Sequence, residues 1–421
     1  MCALSARSTR IVIDSDRLNR ELETLATFSE AAPPAVTRIV FSNADRRARD
    51  YVKGRCTDAG LAIREDAVGN TFARWNGEHP DAPAVGTGSH IDAIPNAGRF
   101  DGTVGVLGGL EAIRALKDSG FRPKRHIELL IFTSEEPTRF GIGCLGSRLL
   151  SGNRDASVDE KLKDKGEQTL RDSRKAAGFV GDLRQVLLPH GYYSGFVELH
   201  IEQGPLLEQE QLDIGVVTAI AAPASLRISV EGQGGHAGGV LMPDRHDALC
   251  AAAEIILAVE SAAKSTGSRD TVGTVGVCDV FPSAVNSIPS RVRLEVDLRD
   301  TDEQRRETVF RFIRQQCDEV AGRRSVGVQI EIVNADAPSE CASQVVDAIE
   351  SACKTNQLRF RRMVSRAYHD SLFMSRIAPT GMIFIPCRDG ISHRPDEYAS
   401  PEAISNGALV LANVLAELAS G

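Results

Sequence analysis

Between Gly88 and Gly102 the chain reads GSHIDAIPNAGRFDG, which places His90, Asp92 and Asp101 on a glycine-rich loop behind an apolar run. Neutral imidazole and carboxylate are the usual ligands of Zn and Mn, and a two-metal hydrolytic site needs a carboxylate able to bridge ions roughly 3.5–4 Å apart. His90 can supply an imidazole and Asp101 the bridge. Asp92 stands two residues beyond His90, on the same face of an extended chain, where it can receive the second ring N–H and orient the imidazole. Taken alone, such a loop is more often an ordinary turn than a metal site. Three further segments carry the same chemistry: Glu135 and Glu136 in TSEEPTRFG, His200 in ELHIEQGP, and His393 in GISHRPDEY. Adjacent residues at a strand end point to opposite sides, so one glutamate can hold a metal while the other faces a substrate water.

Residues this far apart in sequence need a scaffold that delivers them to one place. APAVGTGSH, HIELLIFTSEE and FVELHIEQG are apolar or alternating runs that each end in titratable residues. TVGVLGGLEAIRALKDSG lies between the first two, a helix whose small residues permit close approach to a sheet. This is βαβ grammar, and its ligands belong at the carboxyl ends of the strands. Upstream, SDRLNRELETLATFS predicts a helix capped by Ser15 or Asp16, and ADRRARDYVKGRCTDAG predicts a second one closed by Gly60.

Near Val217 the texture changes. SLRISVEGQGG, TVGTVGVCDVFP, RVRLEVDLRD and VGVQIEIVN read as alternating strands, with two helices in DRHDALCAAAEIILAVESAAK and TDEQRRETVFRFIRQQCDEVA. The pattern predicts an α/β fold with an inserted α+β module of four strands and two helices. The boundaries fall at 1–217 and 336–421 for the metal-binding catalytic domain and at 218–335 for the insertion. The charged segment from Gly152 to Asp182 reads as a surface excursion of helix and loop.

Composition narrows the classes of function. A net charge of −8 with no long run of one sign argues against nucleic acid or anionic membrane as partner. Nine cysteines fall singly, Cys2 among them, with no CxxC pair, so neither a disulfide framework nor a zinc ribbon is indicated and a reducing, cytoplasmic location fits. The first residues carry only a broken apolar stretch, which is not read as a secretory signal, and no window of eighteen uncharged apolar residues occurs.

GSHIDAIPNAGRFDG, FTSEEPTRFG, ELHIEQGPLLE, GGHAGGVLMPDRHDA and GISHRPDEY, in that order and spanning most of the chain, resemble the M20 metallopeptidase-like amidohydrolases in their hydantoinase/carbamoylase branch. The resemblance implies the two-domain M20 fold, with the insertion acting as lid and dimerisation domain. It implies two divalent cations per subunit, Mn or Zn with Mn slightly favoured, one held by His90, Asp101 and His200 and the other by Asp101, Glu136 and His393. Glu135 is then the general base. His236 would reach the partner's active site in a homodimer and polarise the carbonyl, while Asn286 and Arg299 would bind a substrate carboxylate. Gln203, Tyr368 and His369 would line the pocket, and a cis peptide would join Asp101 to Gly102.

Within the branch, RAYHDSLFMSRIAPTGMIFIPC and TVGTVGVCDVFPSAVNSIPSRVRLEVDLRD are most similar to the ureidoglycolate-cleaving members. This implies cleavage of a ureido C–N bond in (S)-ureidoglycolate, giving glyoxylate, ammonia and carbon dioxide in ureide breakdown. An N-carbamoyl-L-amino acid and allantoate are the alternative substrates, and a non-catalytic binding protein on the same scaffold is the remote one. Where related enzymes often have HAGTTPM this chain has HAGGVLMP, with Gly239 and Val240 replacing two hydroxyl residues. Cys144 in FGIGCLGSR suggests a cysteine nucleophile, but with no base evident nearby it reads as a small buried thiol.

Overall fold

The computed structural model describes residues 10–421. Cys2 and the opening residues of the N-terminal reading lie outside the described residues. The chain divides into two compact units, one holding the described residues up to Thr218 with Cys341–Met363 and His369–Gly421, the other Ala219–Glu340 with Val364–Tyr368. The second unit thus includes Tyr368, which the sequence reading assigned to the catalytic domain.

The first unit is built on a nine-stranded mixed sheet. At its centre Ala84–His90 lies between Ile127–Phe132 and Tyr193–Ile201, parallel to both, and Thr380–Ile385 runs parallel to Tyr193–Ile201. All but one of the residues in these four strands are buried, as expected when helices cover both faces. Thr103–Asp118 packs so tightly on the sheet that a Cβ on Gly105 would sit 2.3 Å from the Leu199 carbonyl oxygen. Ile214–Ile220 pairs antiparallel with Thr380–Ile385 on one side, and Thr71–Trp75 with Ile127–Phe132 on the other.

The N-terminal helix, Ser15–Ala26, is capped by Asp14, whose side chain accepts from Arg17 N. That places the cap one residue before Ser15 and two before Asp16, the expected caps, with the capping oxygen reaching the N–H three residues on. Ser42 caps Asn43–Asp58 in the same way. The segment from Gly152 to Asp182 contains the short helices Ala156–Asp159 and Leu170–Ala176, and buried Leu170 ties it to the core. Pro401–Ala419 is the one described helix long and apolar enough to cross a membrane by length and composition, but Ile404, Leu411 and Leu415 on it are buried in the same core as Leu107 and Ile383.

The second unit has four antiparallel strands in the order Val272–Phe281, Arg291–Asp300, Ala222–Glu231, Gly327–Ala335. Helices Ala248–Ser265 and Glu303–Arg324 bury Ile255, Val259, Ile313 and Val320 against the inward residues Ile228, Leu294 and Val296. Alternation along Ala222–Glu231 and Arg291–Asp300 is what one packed face requires.

Candidate active site

Parallel strands that stop at one edge of a sheet bring their following loops together. His90 is the last residue of its strand, opposite Phe132. Glu135 and Glu136 follow that neighbouring strand, and His200 faces Phe384 one position before its own strand ends. Asp101 precedes Gly102, the N-terminal cap of Thr103–Asp118, and His393 sits on the loop after Thr380–Ile385.

Asp101 is the hub. Its Oδ1 lies 3.1 Å from His200 Nε2 and 3.5 Å from His90 Nε2. Its Oδ2 lies 3.2 Å from His393 Nε2, which is in turn 3.4 Å from Glu136 Oε1. Two donor groups result, His90–Asp101–His200 and Asp101–Glu136–His393, with Asp101 common to both. Glu135 Oε2 is 3.7 Å from His90 Nε2. All are buried except His393, whose side chain is 47% exposed.

The donor set suits cations. His90 Nδ1 is 3.0 Å from the Asp92 carbonyl oxygen and His200 Nδ1 is 2.9 Å from that of Ile201. A carbonyl can only accept, so each Nδ1 donates, fixing the ring and leaving Nε2 to face Asp101. Gly102 N–H lies 3.1 Å from His200 Nε2, and a Cβ on Gly102 would meet His90 Nε2 at 2.4 Å, so the backbone there is pressed against two imidazoles. Ser134, Gln203 and His393 hold positive φ without being glycine, a cost of order 1 kcal/mol each that clusters around functional sites.

Charge is concentrated accordingly. Burial pushes the Asp101 carboxyl up, but bonds to His200, His393 and His90 outweigh it and hold the group well below the usual carboxylate range. Burial, together with Glu136 beside it, pushes Glu135 well above that range. Burial and neighbouring Asp101 raise Glu136 to about 7, while the bond to Asp101 lifts His393 to about 9. Closely packed carboxylates and imidazoles of this kind are what a polycationic ligand would stabilise.

A family model described as Peptidase family M20/M25/M40 matches residues 86–417. The chain belongs to this family. It is 52% identical to the ureidoglycolate hydrolase of Oryza sativa subsp. japonica, over 98% of this chain and 87% of that protein. It is 38% identical to the N-carbamoyl-L-amino acid amidohydrolase of Geobacillus stearothermophilus, over 97% of this chain and 100% of the other. A crystal structure of AtUAH in complex with glyoxylate matches with a TM-score of 0.90 at 51% identity, covering 98% of this chain and 99% of that one.

In this M20 chain the remaining expected residues fall into three places. Gln203 donates from Nε2 to Asp101 Oδ2 at 2.9 Å and to Ser392 Oγ at 3.1 Å, beside the shared carboxylate. The His369 ring packs against His200 with centroids 4.5 Å apart and planes tilted by 60°, and the two form a buried group with Glu198. The other four lie in the second unit. His236 is exposed and pairs with Ser287 across a two-residue ladder, while Ala237 N–H donates to the Asn286 carbonyl, so His236 and Asn286 are neighbours. Arg299 is bound in a fork by Asp297 at 2.7 and 3.1 Å, and its guanidinium lies 5.8 Å from the Tyr368 ring centre. The His236 ladder adjoins the Arg291 end of the strand Arg291–Asp300, and Arg299 is at the other end, roughly 26 Å from Arg291 at 3.3 Å per residue.

Three expectations need correcting in this M20 site. The Asp92 carboxylate is 3.8 Å from His90 Nδ1, which instead bonds the Asp92 backbone; the carboxylate accepts the N–H groups of Glu135 at 3.3 Å and Glu136 at 3.1 Å. Two convergent amides satisfy it better than one distant ring. The cis peptides among the described residues are Pro33–Pro34 and Phe281–Pro282, so Asp101–Gly102 is trans, and Gly102 turns the chain through φ 66° instead. Cys144 does have a carboxylate beside it, Glu135, with Sγ 3.4 Å from Oε1. Burial pushes that thiol well above its usual range, which disfavours a nucleophilic thiolate.

Sequence reading missed Ser392 and Glu397. Glu397 accepts the N–H of Phe100 at 2.7 Å and of Asp101 at 3.1 Å, and Ser392 Oγ lies 3.0 Å from both Asp101 Oδ2 and Glu397 Oε2. The signal was present, since GISHRPDEY contains both, but nothing in that spacing tied them to Asp101 nearly 300 positions earlier.

Proposed function

We propose that this chain is a dinuclear metal-dependent amidohydrolase that cleaves a ureido C–N bond, with (S)-ureidoglycolate as its substrate and glyoxylate, two molecules of ammonia and carbon dioxide as final products, the second ammonia leaving as the released hydroxyglycine breaks down. The observation that carries the reading is the pair of donor groups sharing Asp101, with Glu135 at their side. The name of the 52%-identical rice relative and the glyoxylate held in the matching crystal structure support the choice of substrate. His90, Asp101 and His200 would hold one cation, and Asp101, Glu136 and His393 the other. When bound, the cations, Mn or Zn, supply positive charge that polarises the scissile carbonyl and acidifies water.

The side chains then have distinct tasks. Glu135 accepts the proton of the attacking water and delivers it to the departing nitrogen, from a position where its Oε2 lies 3.7 Å from His90 Nε2. Asp92 fixes the backbone of both glutamates. Gln203 and His369 border the reacting region, and Arg299, with Tyr368 beside it, would exchange its two bonds to Asp297 for the substrate carboxylate.

His236 and Asn286 complete the site from the partner subunit of a homodimer. Their separation from Arg299 supports this: both ends of one strand cannot touch a single small substrate, so the two groups serve the same molecule only when they come from different subunits.

The test is ammonia release from ureidoglycolate, allantoate and an N-carbamoyl-L-amino acid by metal-reconstituted enzyme, with and without chelator. The highest kcat/KM is expected for ureidoglycolate, with full loss on chelation. Preference for another arm overturns the substrate, and chelator-resistant turnover overturns the metal.

A further inference from the structure

We propose that Cys144 is a positioning residue for Glu135: its thiol donates to Oε1 and thereby turns Oε2 toward the reacting water. The inference rests on Glu135 acting as the base. A glutamate's terminal torsion is broad and nearly two-fold, so burial alone does not decide which oxygen faces the cations. Here the two oxygens have different neighbours. Oε1 is 3.4 Å from Cys144 Sγ, whereas Oε2 is 3.7 Å from His90 Nε2.

The thiol is held where it is by backbone. Cys144 N–H donates to the Glu135 carbonyl at 2.7 Å, Leu145 N–H to Ser134 at 2.9 Å, and Gly146 N–H to Thr133 at 2.8 Å, so residues 144–146 are stitched to the segment carrying the base. Cys144 is fully buried and adopts the left-handed conformation φ 55°, ψ 34°, with its Sγ 3.4 Å from Glu135 Oε1. A neutral S–H is a weak donor, strong enough to choose an oxygen without withdrawing the basicity the reaction needs. Sulfur is therefore used as a hydrogen-bond donor and forms no bond to substrate.

The experiment compares metal-reconstituted wild type with Cys144→Ala, Cys144→Ser and Glu135→Gln. Cys144→Ala is expected to lower kcat about fivefold, the effect of one modest hydrogen bond, with KM and cations per chain unchanged. Cys144→Ser, which keeps a donor, restores most of that loss. Infrared difference spectra supply a second readout: the Cys144 S–H stretch, isolated by subtracting the Cys144→Ser spectrum, is expected to shift to higher frequency in a Glu135→Ala background. That shift decides the matter even where Cys144→Ala does not fold. Wild-type kcat in Cys144→Ala, a Cys144→Ser variant as slow as the alanine, or an unmoved band overturns the proposal. Glu135→Gln separates the two levels: if it is inactive while Cys144→Ala is normal, only the positioning role fails; if it turns over normally, the base assignment fails and the positioning role with it.

Discussion

Replacing Gly102 by alanine tests how closely the backbone must approach the donor cluster. An added Cβ would lie 2.4 Å from His90 Nε2, 2.5 Å from Cδ2 and 2.6 Å from Cε1, where ordinary contact begins at 3.4 Å. The shortfall is 3.4 − 2.4, or 1.0 Å. The imidazole cannot easily yield it, because Nδ1 is tied to the Asp92 carbonyl at 3.0 Å and the residue is only 1% exposed. A misplacement of about 1 Å in a catalytic group costs on the order of 100-fold in rate, or about 2.7 kcal/mol. At φ 66°, ψ −42° Gly102 lies outside the left-handed helical well, so alanine there carries about 1–3 kcal/mol of backbone strain, enough to lower Tm by a few degrees. Gly102→Ala should therefore lose kcat/KM for ureidoglycolate by about 100-fold and give up the cation nearest His90 first, as measured by steady-state kinetics and metal analysis. Gly120→Ala is the control, since Gly120 has φ 79° and nothing within 4 Å of its would-be Cβ; it should show a smaller Tm loss with normal turnover. A Gly102→Ala enzyme with wild-type kcat/KM and full metal content would refute the reasoning.

Other perturbations separate the remaining parts. Glu135→Gln should lower kcat by about 100-fold or more at unchanged cation content, the usual scale of a lost general base; turnover and metal analysis of one preparation check it. Asp92→Asn replaces one of two accepting oxygens by a donor facing an amide, so stability should drop by about 1–3 kcal/mol in urea melts, with kcat falling as the glutamate turn shifts. Inactive Glu135→Gln and His236→Ala chains, unfolded together and refolded, should regain about a quarter of wild-type activity if His236 acts in the partner's site, and none if it acts in its own. In the second unit, burial pushes Asp300 up, but the bonds from Arg305 and Thr271 outweigh it and its folded pKa lies below the ordinary aspartate value. Its contribution to stability is thus present at neutral pH and lost as pH falls through that lowered pKa. Asp300→Asn should be less stable at neutrality and show a shallower acid limb in thermal melts.

Much of the site was legible because the chemistry that selects its residues also restricts where they can stand. His90, Glu135, Glu136 and His200 each end or follow an apolar run, and apolar runs of that length alternating with helices make a parallel sheet whose carboxyl edge collects them. His393 and Asp101 sit on loops with no such periodic marker, and they were found through the motifs around them. Side-chain partners were the hardest to foresee. The spacing puts Asp92 at an imidazole, whereas its carboxylate binds two amides, and it shows no base near Cys144, whose thiol touches the Glu135 carboxylate. In both cases the deciding contact spans a separation that local spacing does not encode.

What the sequence by itself determined was the kind of matter present: imidazole and carboxylate donors, the alternation of strand and helix, and an inserted α+β segment, each set by hydrophobic period and residue chemistry. The tertiary structure alone decided which oxygen meets which nitrogen. Asp101 became common to both donor groups because Gly102 turns sharply against His90 and His200 while Glu397 fixes the amides of Phe100 and Asp101. Such distances depend on packing between segments hundreds of residues apart, and packing is a property of the folded whole.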